Sequence, residues 1–198
     1  MLAMKLRLSF STVNMWRNGD VDGAIDALMG KYREPTDAMK FGSFMHKQWE
    51  QEVNNTQCLP TVFGGARINE PKTEQYYCVQ LDDWVWLCGV IDLEYKTDDG
   101  RTILVDYKTG NSNANHYSNS LQAGCYKILR PNAELFVFKH YNQYTENVTS
   151  SIVHLTNNLE AHTMHKIIST AYEMAYELDK RGMSDFDNYE RKPKNETK

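Results

Sequence analysis

Residues 76–108 read YYCVQLDDWVWLCGVIDLEYKTDDGRTILVDYK, and this stretch decides the fold. Aromatic and β-branched residues dominate it. Two polar breaks, Asp82-Asp83 and Thr97-Asp98-Asp99-Gly100, divide it into runs over 76–81, 84–95 and 101–108. Runs of that composition bounded by turn residues predict a three-strand meander.

Outward from the meander the pattern becomes helical. A polar loop over 110–115 leads to a helix expected over 116–129, stopped by Pro131. Residues 134–141 and 148–155 read as a second hairpin. Asn157, with Glu160 three positions on, resembles a capping pair for a last helix through residue 180. Upstream, residues 11–31 are helical but interrupted at Asn18-Gly19, and Asp20 caps a second piece through Leu28. Glu34-Pro35-Thr36 opens a helix over 37–53, whose Met39, Phe41, Met45 and Trp49 mark a buried side. Residues 54–73 are loop-like. The order α-α-βββ-α-ββ-α predicts an α/β layer structure with a central mixed sheet flanked by helices. We expect one domain over 1–198: helices in 1–56, a sheet core in 74–156, a final helix in 157–182 and a basic tail in 183–198. The tail's cluster Arg191-Lys192-Pro193-Lys194 reads as a solvated end.

A chain of 198 residues buries a core without metal or disulfide staples. Its longest apolar runs are far too short to cross a bilayer, and its start lacks the apolar segment of a secretory signal. With 26 acidic against 22 basic residues, a non-specific nucleic-acid coat protein is unexpected. A nucleic-acid enzyme remains open, because a divalent metal supplies positive charge where phosphate sits. Cys58, Cys78, Cys88 and Cys125 lack zinc-type spacing. Cys78 and Cys88 face each other if the hairpin turns near Asp82-Asp83, but their apolar neighbours favour buried thiols and a reducing cytoplasm.

The chemistry-bearing residues close apolar runs. Asp106 and Lys108 are two apart on one strand, so they project from one face beside each other. Charges at the end of Ile103-Leu104-Val105 are partly desolvated and need a partner or a function. The triplets Glu70-Pro71-Lys72, Glu94-Tyr95-Lys96 and Glu190-Arg191-Lys192 repeat the pattern, the first and last in loop or tail contexts where a solvated pair suffices. Asp92 also closes an apolar run. If the strands pair around Thr97-Gly100, Asp92 and Asp106 meet at one end and repel unless a cation lies between them. Oxygen ligation of that kind suits Mg²⁺ or Mn²⁺. The competing reading is a structural ion pair between Asp92 and Lys108. Gly42, His46 and Glu50 share one helix face, with Gly42 permitting close approach and His46 offering an imidazole. Gln122 and Tyr126 likewise point together.

The ordered segments GSFMH (42–46), GVID (89–92), VDYKT (105–109) and QAGCY (122–126) resemble the RecB-like branch of the PD-(D/E)XK nuclease superfamily, whose relatives include CRISPR-associated spacer-processing exonucleases and phage exonucleases. The segment LSFSTVNMW (8–16) is similar to the serine-bearing helix start of those proteins. The resemblance implies a restriction-endonuclease-like core and a metal-dependent DNA exonuclease acting on linear or single-stranded ends and leaving 5′-phosphates. It implies metal ligation by His46, Asp92, Asp106 and the Tyr107 carbonyl, with Lys108 acting on the attacking water. Gln122 and Tyr126 would support the site and contact the DNA backbone, and Tyr107, Tyr117 and Tyr126 lie where they could stack on bases. An endonuclease of the same superfamily, or a DNA-binding module without chemistry, would share the fold. Many such relatives hold an iron–sulfur cluster with cysteines near both ends. This chain has none before Cys58 or after Cys125, so no cluster is expected.

Overall fold

The computed structural model describes residues 4–31, 33–117 and 120–188. The cluster Arg191-Lys192-Pro193-Lys194 and the triplet Glu190-Arg191-Lys192 lie outside the described residues. The chain runs β1 (Leu6–Leu8), α1 (Phe10–Arg17), α2 (Val21–Leu28), α3 (Asp37–Thr56), β2 (Asn69–Asp82), β3 (Val85–Lys96), β4 (Thr102–Thr109), α4 (Gln122–Leu129), β5 (Ala133–Tyr141), β6 (Val148–His154) and α5 (Asn157–Lys180).

The meander and both hairpins form as the sequence predicts, and Asp20 caps α2 by accepting from the Gly23 amide. Four local details differ. β2 begins at Asn69, because pairing with β3 extends the strand through polar residues of low strand propensity. Glu70 and Lys72 therefore belong to a strand, not a loop. The helix expected over 116–129 is a 3₁₀ turn, Ala114–His116, followed by the shorter α4. There the Asn113 side chain caps the 3₁₀ turn by accepting from the Asn115 amide. Helix α5 is capped by Thr156, whose extended backbone lets its hydroxyl accept from Leu159 N–H; Asn157 is already helical. Strand β1, only three residues long, carries too little pattern to be read from sequence.

The sheet is mixed and six-stranded, in the order β1-β3-β4-β5-β6 with β2 paired to β3. β1–β3 and β4–β5 are parallel, and the other pairs antiparallel. One apolar cluster packs Leu104, Phe136 and Phe138 with residues of α4 and α5, including Leu129, Ile167 and Met174. A second packs Ile103, Val105 and Tyr107 with Trp49 and Val53 of α3. Alternation along β4 thus sends odd-numbered side chains towards α3 and even-numbered ones towards α4. The expected buried side of α3 is only partly realised. Trp49 is buried, Phe41 and Met45 are half-buried, and Met39 is 59% exposed because the first turn of α3 stands clear of the core.

Cys78 and Cys88 sit directly opposite in the β2–β3 register and are joined as a disulfide, which corrects the reading of buried thiols for this pair. Cys125 is a buried thiol, its pKa pushed up to about 12 by that burial. Among the described residues no helix is long and apolar enough to cross a membrane.

Candidate active site

The site begins with a gap in the sheet. Along one edge β3 is paired with β2 from end to end. On the other edge β1 covers Val85–Leu87 and β4 covers residues 93–96, leaving 88–92 between them without a strand partner. Backbone groups at such a gap need other partners. The Val90 carbonyl accepts from the Tyr126 hydroxyl at 2.8 Å, and the Asp92 carboxylate accepts from the Tyr107 N–H at 2.7 Å. Asp92 is the first residue past the last β3–β4 pair, Leu93↔Val105, so it and Asp106 stand side by side as the strands part.

Asp106 is buried, and donors surround it. Gln122 Nε2 donates to its Oδ1, the Tyr126 hydroxyl lies 3.5 Å from the same oxygen, and Lys108 Nζ lies 2.6 Å from Oδ2. Lys108 and Asp106 Oδ2 thus form a close, buried ion pair. The competing Asp92–Lys108 pair of the sequence reading is not what forms. Burial pulls the Lys108 ammonium down, but the charges of Asp106 and Asp92 outweigh it and hold the group above its ordinary value, so it is fully protonated. Tyr117 lies over this lysine, its ring 5.5 Å from Nζ and its hydroxyl 2.9 Å from that of Ser112.

His46 reaches the gap from α3. Its Nδ1 lies 3.5 Å from Asp92 Oδ2, and its ring packs near Trp49 and Tyr107. Burial lowers its pKa, so it is held as a neutral imidazole with a free lone pair. Gly42, one turn earlier, makes this approach possible, since a Cβ there would meet Thr109 Oγ1 at 2.9 Å.

Sequence reasoning missed Glu74. Its donor oxygen, a nitrogen of His46 and an oxygen of Asp92 lie within 4.8 Å of one another. Burial, then the charges of Glu50 and Asp106, raise Glu74 to about 7. Asp92 is raised well above the usual carboxylate range by burial, then by Asp106 and Glu74. The signal was in reach: the Cys78↔Cys88 pairing, carried four residues along each strand, sets Glu74 opposite Asp92. Glu74 lay between the loop ending at 73 and the strand expected from 76, and so belonged to neither.

The geometry therefore gathers His46, Asp92, Asp106, Tyr107, Lys108, Gln122 and Tyr126 around one gap, with Tyr117 at its rim. Two expectations change. Tyr107 and Tyr126 are 3% and 6% exposed. Tyr107 is stacked on Phe63 and flanked by Trp49, and Tyr126 is packed on Phe136, so neither ring has a face for a base. Gln122 is also buried, its Nε2 donating to Asp106, while the Tyr126 hydroxyl donates to the Val90 carbonyl. A cavity of 290 Å³ opens beside them, lined by Ser9, Ser11, Gly89, Lys108 and Gln122 among others. Ser9, the residue singled out at the start of α1, caps that helix by accepting from the Thr12 amide.

The donor set fits a divalent cation. The Glu74 and Asp92 carboxylates, crowded and with raised pKa values, and the His46 imidazole lack a paired positive charge, and the nearby Lys108 ammonium is committed to Asp106.

No family model matches the sequence, and no curated protein matches it. Solved structures do. One is a protein of Eubacterium rectale described as a candidate exonuclease, with a TM-score of 0.58 and 13% identity over 89% of this chain and 82% of that one. Another is an alkaline exonuclease of Laribacter hongkongensis, with a TM-score of 0.56 and 11% identity over 91% of this chain and 92% of that one. At such identities the likeness is one of fold, and it is the fold that the four sequence motifs led us to expect.

Proposed function

We propose that this chain is a metal-dependent deoxyribonuclease of the PD-(D/E)XK type that shortens DNA from linear or single-stranded ends and leaves 5′-phosphates. The observation that carries the reading is the meeting of Asp92, Asp106 and Lys108 at the gap in β3, with His46 beside them. In this reading Asp92, Asp106 and the Tyr107 carbonyl would hold Mg²⁺ or Mn²⁺, with the His46 imidazole on the Asp92 side of the ion. The chemistry such an ion supplies is neutralisation of phosphoryl charge and acidification of water.

The protein's own groups do the rest. Lys108, fixed by Asp106 and kept protonated, hydrogen-bonds the attacking water or the phosphoryl oxygen and offsets the negative charge that develops there. The water oxygen bonds to phosphorus as the bond to the in-line 3′-oxygen breaks; the water gives up one proton to solvent, and the departing 3′-oxygen takes one up from solvent. Gln122 and Tyr126 fix the Asp106 carboxylate, so the Asp106–Lys108 pair needs no rearrangement during the reaction. Tyr117, partly exposed over Lys108, is the aromatic side chain placed to meet a nucleotide.

The likeness to two exonucleases supports action at ends, as does a site walled by α3 on one side and α4 on the other. Incubation with linear and covalently closed circular duplex, each with Mg²⁺, Mn²⁺ or EDTA, tests this. Progressive shortening of the linear DNA only, abolished by EDTA, is expected. Nicking of closed circles at the rate of linear cleavage would make the enzyme an endonuclease of the same superfamily.

A further inference from the structure

We propose that Glu74 is a metal ligand and that His46, Glu74 and Asp92 form a second divalent-cation position, sharing Asp92 with the one between Asp92 and Asp106. The inference rests on the reading of this site as a metal-dependent nuclease and adds to it a residue outside the motifs that suggested that reading.

Three adjacent strands each contribute one carboxylate in a row across the sheet: Glu74 from β2, Asp92 from β3 and Asp106 from β4. Asp106 is satisfied by Lys108, Gln122 and Tyr126, which draw its two oxygens towards α4. Asp92 accepts from the Tyr107 N–H, but among the described residues no side-chain donor of that kind reaches it or Glu74. Among the described residues, no lysine or arginine forms an ion pair with either, and the basic side chain beside Asp92 is His46, whose Nδ1 lies 3.5 Å from Oδ2. One side of Asp92 therefore faces an ammonium-bound carboxylate, while the other faces a carboxylate and an imidazole lone pair with nothing between them.

The spacing suits an ion. Six-coordinate Mg²⁺ or Mn²⁺ with bonds of about 2.1 Å has donors about 3 Å apart when adjacent and about 4.2 Å when opposite. His46 Nδ1 and Asp92 Oδ2 are 3.5 Å apart, and all three donors lie within 4.8 Å of one another, a spread that a small rotation of the Glu74 side chain closes. Asp106 is not a member of that set. An imidazole with two carboxylates favours Mn²⁺ over Mg²⁺, which prefers an all-oxygen shell.

The test is a Mn²⁺ titration of the full chain followed by calorimetry and electron paramagnetic resonance, with folding checked by circular dichroism. The wild type should bind two ions, one showing nitrogen hyperfine coupling from His46. Glu74→Gln should bind one, with that coupling gone and the affinity of the remaining ion within about threefold of wild type. Glu74→Asp, which keeps the charge on a shorter arm, should bind the second ion again with at least tenfold weaker affinity. Two ions with intact nitrogen coupling in Glu74→Gln would overturn the assignment, as would wild-type affinity for both ions in Glu74→Asp. A wild type that binds one ion, unaffected by either substitution, would remove this position and leave the nuclease reading standing. A wild type that binds no Mn²⁺ would remove both.

Discussion

Asp92 occupies a position where stability and function pull apart. It is a largely buried carboxylate between two others, with a backbone N–H and the His46 imidazole beside it. Replacing it with asparagine keeps the acceptor for the Tyr107 amide and removes the repulsion. We predict that Asp92→Asn raises the melting temperature of the metal-free protein, by about 1 kcal/mol or roughly 2–4 °C for a chain of this size, while abolishing cleavage. A lowered melting temperature in EDTA would contradict the electrostatic account. The same crowding sets a pH dependence. The folded-state pKa of Glu74 rises from the ordinary 4.5 to about 7, and Asp92 is raised as well. The folded protein therefore binds more protons than the unfolded chain across this interval, and its stability must fall as pH rises from 4.5 towards about 7. Melting scans in EDTA should show that fall, and Mn²⁺ at 100 times its dissociation constant should restore about 2.7 kcal/mol above it. Equal stability at both ends of the interval would count against it. His46→Ala should reduce Mn²⁺-supported cleavage more than Mg²⁺-supported cleavage, since an imidazole matters less to Mg²⁺. Losses of equal size under the two ions would take His46 out of the metal's surroundings. At this scale the sequence was legible where a charge closed an apolar run, as at Asp92, Asp106 and Lys108. It was not legible at Glu74, which only strand register brings to the site.

Helix α4 holds the donors that fix Asp106, and its seat on α5 is unusually close. A Cβ on Gly124 would lie 1.9 Å from Thr163 Oγ1 and 2.7 Å from Thr163 Cβ, a fully buried, stiff side chain with no room to rotate away. Gly124→Ala must push the two helices apart, and overpacking of this kind costs about 1–3 kcal/mol. We predict a melting temperature lower by roughly 2–10 °C, with a further loss of cleavage rate as Gln122 and Tyr126 shift from Asp106. Gly124→Ala combined with Thr163→Ala, which removes the hydroxyl that the new Cβ meets at 1.9 Å and the methyl it meets at 3.0 Å, should recover part of both. No recovery would place the defect elsewhere. The longer elements were readable because each carries its own signal, such as the Asp20 cap of α2 or the turn at Asp82-Asp83. β1 and the first half of β2 were not, because pairing with β3 makes them strands and their own composition does not.

Across the whole molecule, a net charge of −4 leaves little general attraction for a polyanion, so binding must be concentrated where metal and Lys108 supply positive charge. The fold places that point at an interruption of its own sheet, where β1 and β4 leave the middle of β3 uncovered and α3 and α4 reach in from either side. The layer order and the meander could be read from hydrophobic pattern alone. The interruption could not, because it depends on how two short pairings divide one strand edge. The central claim is that Lys108 stabilises charge at a phosphate without holding the metal. The most direct test is release of nucleotides from end-labelled linear DNA in Mn²⁺ by wild type and Lys108→Ala, with Mn²⁺ binding measured on the same samples. The account predicts a loss of at least about 10²–10³ in rate for the variant, the size expected when one fixed charge-stabilising donor is removed, with metal affinity nearly unchanged. Cleavage by Lys108→Ala at a rate near that of the wild type would contradict it.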